Sequence, residues 1–103
     1  MMKGEKEAAL LERAGVEEKR YGWLSAVDFY EKAFGLALKL EEFLKAAEIR
    51  EQMGFCFFKA ALQAETHEDF RSRMKLAAGA YERAAELFEK IEEEGKRAKI
   101  KHP

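Results

Sequence analysis

Proline, asparagine and cysteine are almost missing from this chain, and each shortage narrows what it can be. The one proline is Pro103, so nothing earlier removes a helical hydrogen bond or clashes with a preceding turn. There is no asparagine, and glutamine occurs only at Gln52 and Gln63. A single cysteine, Cys56, excludes an internal disulfide and permits a reducing compartment, so the cytoplasm is the expected location. No stretch approaches the roughly 20 apolar residues of a membrane-spanning helix, and the first residues carry no apolar signal core. Neither sign of charge dominates: 19 Lys and Arg face 20 Asp and Glu, for a net charge of −1. That balance argues against nucleic-acid binding by bulk electrostatics. Two histidines and one cysteine are too few for a structural zinc site, so neither a metal nor a cofactor is expected.

What is present is helix-forming and charged. Hydrophobic residues make up 48% and charged residues 38% of 103 positions, which places the chain with folded domains rather than disordered tails. At this length one core and one domain are expected. The dense Glu, Lys and Arg, with no Asn, resemble a thermophile's composition. One phrase also recurs. Ala26, Tyr30, Glu31, Lys32, Ala33, Leu36 and Lys39 return as Ala77, Tyr81, Glu82, Arg83, Ala84, Leu87 and Lys90, each 51 residues later. Repetition at a fixed offset is the mark of stacked helical units, none of which buries its apolar face alone.

Apolar spacing predicts four helices, at about 5–20, 23–39, 42–64 and 67–94. The first places Ala8, Leu11 and Ala14 on one face, and Tyr21-Gly22 ends it. The second steps through Ala26, Phe29, Ala33, Leu36 and Leu40. The third uses Ala46, Ile49, Met53, Phe57, Ala60 and Ala64, and its Phe55-Cys56-Phe57-Phe58 run makes it apolar nearly all round, as a central core helix would be. In the fourth, Phe70, Met74, Ala77, Tyr81, Ala84, Phe88 and Ile91 hold a seven-residue period. Thr66 followed by Asp69 reads as its cap, and Gly95 as its stop. No Gly, Pro, Asn or Ser lies between Leu36 and Met53, so a turn at Leu40 to Glu42 is inferred only because two apolar stripes must fold back on each other. The expected architecture is all-α: four antiparallel helices, as two hairpins in one domain over 1–95, with a basic tail over 96–103.

The Ala, aromatic, Ala spacing of Ala26-Tyr30-Ala33 and Ala77-Tyr81-Ala84 resembles the second helix of a tetratricopeptide repeat. Met53-Gly54 followed by Phe57 is similar to that family's first helix. In both, small residues let helices approach while an aromatic fills the space beside them. The 51-residue spacing and the missing helix-closing proline depart from the usual 34-residue unit and look more like the long-helix, SNAP-type relatives or archaeal repeat proteins. The resemblance implies a short right-handed stack or bundle, a non-catalytic scaffold, and a groove for a peptide or partner helix. No catalytic residue comes with it, and a chain without Asn does not match the family's carboxylate clamp.

The residues expected to touch a partner are Tyr30, Phe55, Phe58 and Tyr81. Cys56 has no base near it in sequence and reads as a small buried apolar residue rather than a nucleophile. Lys96-Arg97-Ala98-Lys99-Ile100-Lys101 is a local basic segment, most simply a solubilising tail. Two other functions fit the letters. One is self-association as a homodimer. The other is a small dimeric ribonuclease of HEPN type: Arg97 and His102 have the Arg-spacer-His cadence of that family, which implies His as acid-base and Arg on the phosphate.

Overall fold

The computed structural model describes residues 5–101, with side chains from 6 to 99. It is all-helical over that range: α1 (Glu5–Lys19), α2 (Trp23–Lys39), α3 (Phe43–Leu62) and α4 (His67–Lys101). Among the described residues, no helix is long and apolar enough to cross a membrane. The substantial interfaces join consecutive helices, α1 to α2, α2 to α3 and α3 to α4. The result is a folded ribbon of helices, 58 × 34 × 18 Å, rather than a ball. Its radius of gyration is 15.7 Å, where a compact domain of about 100 residues has about 13 Å.

The core is built largely of alanine. Ala14, Ala26, Ala33, Ala37, Ala46, Ala47, Ala60, Ala80 and Ala84 are buried, and Trp23, Tyr30, Phe34, Ile49, Met53 and Leu87 fill the space between the helices they bring together. Gly54 extends this logic to its limit, because the ring of Tyr81 lies where its side chain would be.

The turn inferred at Leu40 to Glu42 is there, and it repeats the turn before α2. Both are Schellman closures. Gly22 and Glu42 donate to the carbonyls of Glu17 and Ala37, at 2.8 and 2.9 Å. Tyr21 and Glu41 donate to those of Glu18 and Leu38, each at 3.0 Å. The left-handed position is filled by Tyr21 (φ 63°) and Glu41 (φ 58°), not by glycine. Thr66 caps α4, its Oγ1 accepting the Asp69 N–H at 3.0 Å.

Three expectations are corrected. Gly95 does not stop α4, which continues to Lys101 through much of the segment read as a tail. A glycine inside a helix costs only about 1 kcal/mol relative to Ala; Glu, Lys, Arg and Ala on either side favour helix, and Lys96 pairs with Glu92 one turn back. In α1, Ala8 is exposed and Glu7 takes the buried position beside it. In α4, Ala80 and Leu87 are buried while Phe70 and Tyr81 stay exposed, a small rotation from the predicted stripe.

Candidate functional site: a groove between α1 and α3

An up-down-up chain path sets α1 and α3 side by side in the same direction over α2. Their ends and middles are linked by side chains rather than by close packing. At the N-terminal end, Lys45 Nζ stands 3.2 Å from Glu7 Oε1. At the middle, Gln52 Nε2 donates to Glu18 Oε2 at 2.7 Å. At the far end, Gln63 reaches the Tyr21 carbonyl. Between these links lie two hollows. One, of about 550 Å³, is walled by Leu11 of α1 and Leu44, Glu48, Ile49 and Gln52 of α3, with Tyr30 as its floor. The other, of about 350 Å³, is lined by Tyr21, Trp23, Phe55, Lys59 and Leu62.

A polar node separates them. The Tyr30 hydroxyl donates to Glu18 Oε1, while Gln52 holds the other carboxylate oxygen. Burial, followed by the hydrogen bond and charge of Glu18, pushes the Tyr30 phenol well above its ordinary range. The same two influences push the Cys56 thiol up to about 12. Cys56 is fully buried, so it stays a protonated, unreactive thiol at neutral pH.

The second hollow is aromatic. The Trp23 ring stands edge-on to Phe55 at 5.8 Å and to Tyr21 at 6.3 Å. The Lys59 ammonium lies 5.7 Å from the Trp23 ring centre and 5.8 Å from that of Phe55. Tyr21 is there because the left-handed turn that ends α1 throws its side chain outward, leaving it 70% exposed.

Two of the four expected partner residues line this groove. Tyr30, only 8% exposed, offers its surface as the floor, and Phe55 forms part of the aromatic wall. Phe58 sits on the other shoulder of α3, exposed, and Tyr81 lies against Gly54 on the α4 side. The apolar character of α3 all round predicts a helix covered on every side, but α2 and α4 cover only part of its circumference, and Phe55 and Phe58 stay exposed on the remaining arc. Leu44 and Leu62 project from that arc, and together with Leu11, Trp23 and Lys59 they are the groove residues that sequence reasoning missed. Leu44 and Leu62 are 18 positions apart, five helical turns, and off the buried stripe, a signal that was available.

Among the described residues, no group of His, Cys, Asp and Glu is arranged to hold a metal ion. Arg97 is exposed on the last turns of α4, and His102, its partner in the ribonuclease reading, lies outside the described residues. No known protein family, curated protein or solved structure matches this chain.

Proposed function

We propose that this chain is a non-catalytic protein-interaction module, tetratricopeptide-like in its long-helix form, whose α1–α3 groove receives a helix or extended segment of a partner protein in the cytoplasm. The observation that carries this reading is the uncovered apolar arc of α3. Leu44, Phe55 and Leu62 are exposed in a row beside two hollows, although the buried side of the same helix is closely packed. Exposed apolar side chains that line concave surfaces, here two hollows with a polar node between them, are characteristic of docking surfaces. Trp23, Tyr21 and Phe55 are the residue types that anchor such interfaces, and Glu18, Gln52 and Lys59 supply a few polar points for register.

Affinity capture from the cells that make the protein tests the reading. A specific partner is expected to be retained by the wild type and by Glu82→Lys on an exposed face of α4, and lost from Phe55→Glu and Leu44→Glu. Equal capture by all four proteins would place the interface elsewhere.

A further inference from the structure

The α1–α2 hairpin carries a second concave surface, turned away from the core and from the groove. On α1, Lys6, Leu10 and Arg13 are spaced to share a face; on α2, Phe29, Lys32, Leu36 and Lys39 do the same. Between the two helices, Lys6, Leu10, Lys32, Gly35, Leu36 and Lys39 line a hollow of about 460 Å³. Its floor is leucine and bare glycine backbone, its rim is three ammonium groups, and no carboxylate lines it. The cationic character continues along the seam, where the Arg13 guanidinium lies 4.7 Å from the Phe29 ring centre and Lys32 6.0 Å from it on the other helix.

Among the described residues, none of Lys6, Arg13, Lys32 and Lys39 has an acidic partner within 4.0 Å. On the same two faces, Asp28 stands one helical turn before Lys32 without coming within 4.0 Å of it, and the Glu17 carboxylate tucks against Gly22 at the α1–α2 turn. An ion pair is the exception on this chain, since among the described residues only Lys45, Arg50, Arg83 and Lys96 stand by an acid. What sets the trough apart is that three ammonium groups and no carboxylate line one apolar hollow. Three ammonium groups around an apolar floor, with the Arg13 guanidinium farther along the seam, raise the local concentration of anions and leave that floor available for burial.

We propose that this trough binds a single-chain anionic amphiphile, an alkyl or aryl chain ending in a carboxylate or phosphate. The chain would lie over Leu10, Gly35 and Leu36, and the head group would meet Lys32, Lys39 and Lys6. Seven residues separate Lys32 from Lys39, so the trough is roughly 10 Å long, the reach of one short chain. A bilayer is the less suitable source of the same chemistry, because the whole chain carries a net charge of −1 and its remaining surface would be repelled by an anionic membrane.

The test is a titration of ¹⁵N-labelled full chain with octanoate, followed by amide shifts. Saturable shifts at Leu10, Gly35 and Leu36 are expected, with 1-octanol binding roughly tenfold more weakly. The exposed pair Lys32→Glu and Lys39→Glu together should weaken octanoate at least tenfold and should make octylammonium move the same amides. Shifts centred on Trp23 and Phe55, no shifts at all, or unchanged octanoate binding by the double variant would each overturn the assignment. Vesicles of phosphatidylglycerol that sediment the wild type but not the double variant would replace the free amphiphile with a membrane. Apart from shifts centred on Trp23 and Phe55, which would place the amphiphile in the α1–α3 groove instead, these outcomes leave the reading of that groove untouched.

Discussion

The ring of Tyr81 rests on the bare backbone of Gly54, so closely that a Cβ at that position would stand 3.0 Å from three ring carbons. Tyr81 is the counterpart of Tyr30 in the recurring phrase, yet it is 41% exposed where Tyr30 is 8% exposed. The difference follows from position. Helix α2 is covered by α1 and α3, whereas α4 has a substantial interface with α3 alone.

The close approach predicts a coupling. In the wild type, Gly54→Ala should bring no gain in stability, because the helical advantage of Ala is spent moving the ring. In a Tyr81→Ala background the same change should stabilise by about 1 kcal/mol, the ordinary helix-propensity gain. Gly79→Ala, with nothing within 4 Å of the added carbon, is the matched control and should stabilise similarly. Urea unfolding of the double-mutant cycle reads the coupling directly; equal gains in both backgrounds would deny it.

A left-handed residue other than glycine costs about 1–2 kcal/mol. Glu41→Gly should therefore raise stability by about 1 kcal/mol, part of the relief being lost to the freer unfolded chain. Tyr21→Gly should gain less, because it also removes the ring that stands edge-on to Trp23. A lower urea midpoint for Glu41→Gly would mean that its side chain makes an interaction outweighing the strain.

Alkaline pH probes the node beneath the groove. The Cys56 thiol ionises near 12 in the folded chain against an ordinary 9.0, because burial and then Glu18 oppose its charge. The unfolded chain gives up that proton first. The contribution to stability is thus complete below about pH 9 and is lost as pH rises toward 12. Tyr30, shifted upward chiefly by burial, adds a slope of the same sign. Unfolding midpoints measured from pH 8 to 11 should fall less steeply for Cys56→Ala than for the wild type. Iodoacetamide should leave Cys56 unmodified at pH 8 until denaturant is added.

Glu7 is buried, and among the described residues neither of its carboxylate oxygens has a well-aligned hydrogen-bond donor, leaving the Lys45 ammonium at 3.2 Å as its counter-charge. That contact is also the main reason the Lys45 pKa is raised. Removing one partner of a buried pair strands the other, although solvent reaches Lys45 and moderates the effect. Lys45→Ala should cost roughly 1–2 kcal/mol. With Glu7→Gln already in place, the same change should cost almost nothing. Thermal unfolding of the four proteins checks this.

The fold was largely legible because helix periodicity and the absence of internal proline leave little else for these residues to form. Both the turn at Tyr21-Gly22 and the cap at Thr66 announce themselves by residue type. The turn at Glu41 does not: both turns put a non-glycine residue in the left-handed position, but Gly22 follows Tyr21 whereas Glu42 follows Glu41, so only the logic of folding back locates the second. Gly95 misleads in the opposite direction, a helix breaker outvoted by its neighbours. For the site, aromatic identity pointed to Tyr30 and Phe55 but also to Phe58 and Tyr81, since residue type does not say which arc of a helix its neighbours cover. Lys59 and Glu7 were illegible for a related reason. A charged residue reads as solvated until the structure sets aromatic rings beneath the one and buries the other.

Site-specific photocrosslinking tests the central claim most directly. A benzophenone side chain placed at Leu44, at Leu62 or at the exposed α4 position Glu82 would be irradiated in the cells that make the protein. A partner lying in the α1–α3 groove predicts the same crosslinked species from positions 44 and 62, and none from position 82. Crosslinks from position 82 alone, or from none of the three, would contradict the groove as the binding surface.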